Sequence, residues 1–176
     1  YADYVASGRA LRQVEEFVLD QVLPIYANSH SEASFCGASI TQMREAARER
    51  IGALCGAREG YATIFTGSGA TSALNRTVAL LGVTAALQAG RAVRVFIGPY
   101  EHHSNILPWR ESGAEVIEIS EALAGGPDMS ALKAALCAAP DALMIGAFSA
   151  ASNVSGILTD TDAVTRALEA HGATAA

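Results

Sequence analysis

The sequence predicts a three-layer α/β fold built on a mostly parallel sheet. Three observations carry that expectation. From Tyr61 onward, short apolar runs rich in Val, Ile, Phe, Leu and Met alternate with segments of helical periodicity, the pattern of parallel strands joined by right-handed crossovers. Runs of that composition suit strands covered on both faces. The polar residues of this region gather in the joints that follow the runs, and a parallel sheet places those joints on one rim.

The elements follow in order. Residues 1–8 read as an extended, turn-like segment with no initiator methionine, so the natural protein is expected to begin earlier. Leu11, Val14, Phe17, Val18 and Val22 fall on one helical face of residues 9–22, and Pro24 closes that element. Residues 26–38 are polar and aperiodic, a loop long enough to be functional. Ser39 or Thr41 is expected to cap a charged amphipathic helix running to Cys55, with Gly56 as its stop. Strands are expected at about 61–66, 93–98, 115–119 and 142–147, and helices at 70–89, 104–112, 129–138 and 160–171. A further strand should begin near Ala173, so the parallel pattern is expected to be cut in progress at Ala176. Residues 1–60 thus form an amino-terminal helical segment with its loop, and residues 61–176 an incomplete α/β domain.

Composition bounds the function. With 176 residues, 51% of them hydrophobic and 17% charged, the chain buries roughly 70% of its unfolded surface, enough for a real core. A net charge of −6 without a long basic run argues against nucleic acid or an anionic membrane surface as partner. The apolar stretches break well before about 18 residues and the start lacks a basic-then-apolar leader, so a cytoplasmic address is expected. Cys36, Cys55 and Cys137 are odd in number and contain no C-x-x-C, which speaks against a disulfide framework or a metal site and for core filling. Eleven arginines stand against one lysine, Lys133. Chemistry that requires a lysine amine in this stretch has only that residue, and Lys133 turns away from the buried face marked by Leu132 and Leu136.

The most informative stretch is 61–82, read as strand, turn and helix. Gly67-Ser68-Gly69 lets the backbone turn sharply, and the N–H groups of Ala70, Thr71 and Ser72 open the next helix with its positive dipole end outward. That suits an anion such as phosphate; a tight connection that binds nothing is the competing reading. No Gly-Lys-Ser/Thr follows the glycines, and Ser72 occupies the third glycine position of the dinucleotide fingerprint, so neither nucleotide motif applies.

Two more polar joints share the rim. Gly98-Pro99-Tyr100-Glu101-His102-His103-Ser104-Asn105 follows the second strand and Ser149-Ala150-Ala151-Ser152-Asn153-Val154-Ser155-Gly156 the fourth. One of His102 and His103 is a binding candidate, since neighbours in extended chain face opposite ways. Asn153 is a candidate too, with a turn role as the alternative. Glu101 is open between a base and a helix cap and receives no role; Trp109 reads as packing.

With these residues in place the sequence resembles the fold-type I pyridoxal-phosphate enzymes of the class V aminotransferase and cysteine desulfurase group. Tyr1-Ala2-Asp3-Tyr4 with Ala6-Ser7-Gly8 is similar to that family's opening, Asn28-Ser29-His30-Ser31 to its substrate-side loop, and Gly69-Ala70-Thr71 with Asn75 to its phosphate turn. Glu101-His102-His103-Ser104-Asn105 with Pro108-Trp109 resembles its Glu-His-His-x-Asn-x-x-Pro-Trp segment, and Ser152-Asn153-Val154-x-Gly156 its Ser-Asn-x-x-Gly loop. Five motifs in order span nearly the whole chain.

The resemblance implies pyridoxal 5'-phosphate as cofactor. Gly69, Ala70 and Thr71 would hold its phosphate, His102 would stack on its ring, and Asn153 would hydrogen-bond near the ring hydroxyl or the substrate carboxylate. Asn28 and His30 would lie near a small amino-acid substrate, reaching the partner's site in a homodimer. Ala70 and Ser72 depart from the family's threonine and glutamate, which shifts phosphate binding onto backbone N–H groups. The family's Schiff-base lysine and ring-nitrogen aspartate fall beyond Ala176, so the expectation is the amino-terminal part of a large domain, without a catalytic residue of its own and inactive as it stands. Cysteine or selenocysteine lyase chemistry is the implied reaction of the parent, amino transfer the alternative. A non-catalytic relative that binds phosphorylated ligands is the third reading.

Overall fold

The computed structural model describes Tyr4, residues 7–138 and residues 141–176. The opening motif Tyr1-Ala2-Asp3 with Ala6 lies outside the described residues. The chain divides into two compact units, Tyr1–Phe65 and Thr66–Ala176.

In the first unit α1, Arg12–Phe17, widens into a π turn at Val18–Val22 and tightens into a 3-10 turn at Leu23–Ile25. Pro24, which lacks an N–H, ends it there. Leu11, Val14, Phe17 and Val18 are exposed. The long helix α2, Phe35–Leu54, starts earlier than Ser39 or Thr41. Ser34 is its cap, with Oγ accepting from Gly37 N at 3.1 Å. Thr41 serves inside the helix instead: its hydroxyl donates to the Gly37 carbonyl (2.8 Å) and accepts from His30 N (2.9 Å).

The expected strand at 61–66 is absent. A strand exists only through a hydrogen-bonded neighbour, and among the described residues 61–66 have none; Tyr61, Ile64 and Phe65 are exposed. The expected helix 70–89 is two helices, α3 Gly69–Leu80 and α4 Val83–Gln88, broken where Gly82 takes φ 69°. That left-handed conformation turns the chain and is open to glycine at little cost.

The second unit holds a four-stranded parallel sheet in the order β2-β1-β3-β4. The strands are β1 Val93–Ile97, β2 Glu115–Glu118, β3 Leu143–Ala147 and β4 Thr174–Ala175. A 3-10 turn at His103–Asn105 and α5, Leu107–Glu111, follow β1. Helix α6, Met129–Cys137, precedes β3, and α7, Thr161–Ala170, precedes β4. Aspartates start both: Asp128 Oδ1 accepts from Ser130 N (2.8 Å) and Ala131 N (3.1 Å), and Asp160 Oδ1 from Ala163 N (2.9 Å).

Strand alternation divides the core into two layers, one on each face of the sheet. Val93, Val95 and Ile97 of β1 and Ile145 and Ala147 of β3 pack with Val78, Val83 and Trp109 from α3, α4 and α5. Phe96 and Met144 point the other way, onto Leu132, Leu136, Val164 and Leu168 from α6 and α7. The three-layer α/β arrangement expected from the sequence is therefore present. The cysteines are not core filler: Cys55 and Cys137 are exposed, Cys36 is half-buried, and all are free. Each sits at a helix end, where a small side chain fills no layer.

The strand order reverses at β1. From β1 the chain crosses by α5 on one face to β2; from β2 it crosses by α6 on the other face to β3. Loops leaving β1 and β3 therefore diverge to opposite faces, and a crevice opens between them at the carboxyl ends of the strands, the usual ligand position of an open parallel sheet.

Candidate functional site

The loops that follow β1 and β3 line this crevice, and one carboxylate joins them. Glu101 Oε1 accepts from Ser149 N at 2.8 Å and from Gly98 N at 3.3 Å. Its Oε2 accepts from Ser149 Oγ at 2.5 Å and from Asn105 Nδ2 at 2.7 Å. An ionised carboxylate only accepts, and these four bonds use its capacity. Asn105 Nδ2 also donates to the Ala147 carbonyl (3.1 Å), and Asn105 Oδ1 accepts from Trp109 Nε1 (3.1 Å). Trp109 is fully buried. Glu101, Asn105 and Trp109 thus form a ladder, each four residues on from the last, that ties the end of β1 to the end of β3 and anchors in the core.

This ladder is the feature that sequence reasoning missed. The carboxylate of Glu101 is spent on Gly98 and Asn105 of its own loop and on Ser149 of the opposing one, and it caps no helix. The signal available was the i, i+4, i+8 spacing of Glu, Asn and Trp, since a buried indole N–H requires an acceptor. The acceptors' own partners come from Ser149, 48 residues away, and nothing local announces them.

His102 stands at the head of the 3-10 turn His103–Asn105, its ring exposed. Nδ1 accepts from Ser104 N at 3.2 Å and lies 3.0 Å from Ser104 Oγ. An Nδ1 that accepts a backbone N–H places the ring proton on Nε2, the nitrogen left to face a ligand. His103 meets His102 edge-on, with ring centroids 6.0 Å apart at 74°.

Helix α3 packs against the same 3-10 turn and against α5. Its first residues, Gly69, Ala70 and Thr71, are exposed, and Ser68 at the cap makes no side-chain hydrogen bond to them. The helix's opening N–H groups are therefore not taken by a cap, which is what an anion needs. Ser72 Oγ donates to the Thr66 carbonyl at 2.6 Å; the hydroxyl that replaces the expected acid fixes the turn.

Asn153 is exposed on the loop after β3. Its neighbour Ser152 is buried, and Ser152 Oγ accepts from Val154 N (3.2 Å) and Ser155 N (3.1 Å), which sets the turn that presents Asn153. Asn153 lines a cleft of about 420 Å³ with Pro99, Tyr100, Glu101, Glu121 and Ile157. Tyr100 closes one wall, donating to the Glu121 carboxylate and accepting from Gly126 N at 3.0 Å. The hydrogen bond to Glu121 pushes the Tyr100 phenol above its ordinary value, desolvation adds to the rise, and the Gly126 N–H works against it. The cleft includes neither His102 nor Thr71: the structure sets His102 beside α3 on one flank of the crevice and Asn153 on the other.

Asn28 and His30 belong to the first unit and are exposed. Arg44 Nη1 donates to His30 Nε2 and, at 3.3 Å, to Ser29 Oγ. His30 takes φ 68°, uncommon for a residue with a side chain. Lys133 is exposed on α6 and is part of neither flank of the crevice.

An aromatic phosphate matches what the second unit offers. A free helix terminus suits its phosphate and a neutral, oriented imidazole its ring face, while an exposed amide suits polar substituents at the far side. No helix among the described residues is long and apolar enough to cross a membrane.

Comparison with known proteins bears on the same features. The aminotransferase class-V family model matches residues 1–176. A probable cysteine desulfurase of Pseudomonas putida is 35% identical over 106 residues, 58% of this chain and 25% of that protein. A probable cysteine desulfurase of Streptomyces coelicolor is 25% identical over 178 aligned positions, 98% of this chain and 42% of that protein. Among solved structures, the apo cysteine desulfurase of Thermococcus onnurineus NA1 superposes with a TM-score of 0.80 at 23% identity, covering 97% of this chain and 41% of that one, which is a likeness of fold. The chain spans well under half the length of these relatives.

Proposed function

This chain belongs to the aminotransferase class-V family, whose members use pyridoxal 5'-phosphate, and we propose that it is the amino-terminal part of a cysteine desulfurase-like enzyme acting on cysteine or selenocysteine. The observation that supports the reading is that the loops carrying His102 and Asn153 leave neighbouring parallel strands and are joined by Glu101, with α3 packed against the turn that follows His102. The names of the relatives favour sulfur removal over amino transfer.

When bound, the cofactor supplies an electron-withdrawing pyridine ring that stabilises charge developing on the substrate carbon. The residues here bind and orient it. Backbone N–H groups of Gly69, Ala70 and Thr71, with the Thr71 hydroxyl, hold the phosphate at the positive end of α3. His102 stacks over the ring and keeps its Nε2 proton as a donor, because Ser104 N–H occupies Nδ1. Asn153 donates to a ring substituent or to the substrate carboxylate. Asn28 and His30 contribute to the substrate side, in a cytoplasmic homodimer where the first unit reaches the partner's site. The amine that holds the cofactor covalently is not Lys133, which lies on α6 away from the crevice.

The test is a titration of the chain with pyridoxal 5'-phosphate, pyridoxal and nucleotides, followed by borohydride reduction and peptide mapping. Saturable binding of pyridoxal 5'-phosphate, lost with pyridoxal, is expected, with no stoichiometric reduced adduct. A response to nucleotides alone would overturn the cofactor assignment, and a specific adduct at Lys133 would overturn its exclusion.

A further inference from the structure

We infer that Glu101 is a positioning residue: its carboxylate sets the spacing between the two loops of the crevice and thereby the placement of His102 and Asn153. The inference rests on the functional reading above for what those two residues touch, and on independent geometry for the clamp itself. The loops after β1 and β3 leave toward opposite faces, so nothing in the sheet ladder beyond Ile97 and Ala147 holds them together. Glu101 supplies that hold. Its bonds to Ser149 N and Oγ cross the crevice, its bond to Gly98 N closes its own loop, and Asn105 couples it to the Ala147 carbonyl and to buried Trp109. His102 is the next residue along the chain, and Asn153 lies four residues after Ser149 on the same short loop.

The carboxylate is required because every partner donates. In Glu101→Gln the amide NH2 faces the Asn105 NH2, donor against donor, so the side chain can no longer hold Ser149 and Asn105 in one geometry. The register of the two loops is then free to change without loss of a core side chain.

The experiment uses the intact protein with three variants: Glu101→Gln, Ser149→Ala, which removes only the hydroxyl bond, and Leu136→Ala as a buried core change at the carboxyl end of α6, away from the two loops. Two readouts are taken: pyridoxal 5'-phosphate affinity with the visible circular dichroism of the bound ligand, and amide hydrogen exchange at Gly98 and Ser149. Glu101→Gln is expected to weaken binding by about tenfold or more, as the loss of a hydrogen bond to a charged group implies, to change the dichroism, and to release both amides to exchange. Ser149→Ala should do the same to a smaller degree. Leu136→Ala should lower Tm while leaving affinity and dichroism as in the parent. Unchanged protection of Ser149 N–H in Glu101→Gln, or unchanged dichroism with affinity within about twofold, would overturn the inference. If the parent fails to bind the ligand while Glu101→Gln still frees the two amides, the clamp stands and the cofactor reading falls.

Discussion

Replacing Gly146 and Leu168 singly and together tests the packing beneath the crevice. Gly146 lies in β3, and an added Cβ would stand 2.6 Å from Leu168 Cδ2 and 3.0 Å from Leu168 Cγ. Leu168 is 1% exposed and is packed among Phe96, Leu132 and Val164, and β3 is held in register by β1 and β4. Gly146→Ala therefore overpacks the layer, at a cost of about 1–3 kcal/mol. Leu168→Ala opens a cavity in the same place, at about 2–5 kcal/mol. In the double variant the new methyl enters the space the leucine vacates, so the combined loss should fall short of the sum by at least about 1 kcal/mol. Urea denaturation of the four proteins measures this directly. Additive losses would refute the contact between the two residues. Because Ala147 follows Gly146 and its carbonyl accepts from Asn105, the overpacked variant should also weaken amide protection around the ladder.

Two other outcomes follow. Asp128→Ala removes two bonds to the first turn of α6 and should cost about 1 kcal/mol of stability in a urea melt, whereas Asp128→Asn should recover most of it. Glu121→Gln should move the Tyr100 titration back toward the ordinary phenol value, read from tyrosinate ultraviolet absorbance against the parent. A phenol held above its unfolded value stabilises the fold below about pH 10 and loses that contribution as pH rises through the folded value, so the variant's deficit should be present at neutral pH and vanish in alkali; the opposite trend would refute the role of Glu121.

The strands and helices of the second unit were legible because their signals are local. Val93–Ile97 and Leu143–Ala147 are β-branched and apolar enough to be strands buried on both faces, Asp128 and Asp160 announce the helices that follow them, and Thr174–Ala175 begins a strand where one was expected. The failures share a cause: the deciding partner was remote or missing. Residues 61–66 have strand composition but no neighbour to pair with among the described residues. Helix α2 began at Ser34 because Thr41, an equally good cap by type, was occupied by His30 N and Gly37 O. For the crevice, the sequence named the joints after β1 and β3, and His102 and Asn153 are exposed on them. It did not reveal Glu101, because the value of that carboxylate depends on β3 lying beside β1, and strand order is not written in either segment.

That adjacency also fixes when the crevice can exist. The half of the ladder within residues 101–109 closes over spans of four residues and can form as soon as that turn leaves the ribosome, since short loops close fast. Its other half needs Ser149, 48 residues later, after β2 has taken one side of β1 and α6 has carried the chain across to the other. Until then Glu101 is a charged side chain with donors on one side only. Vectorial synthesis thus leaves the wall shared by Glu101 and Ser149 to be completed only after β3 has been made.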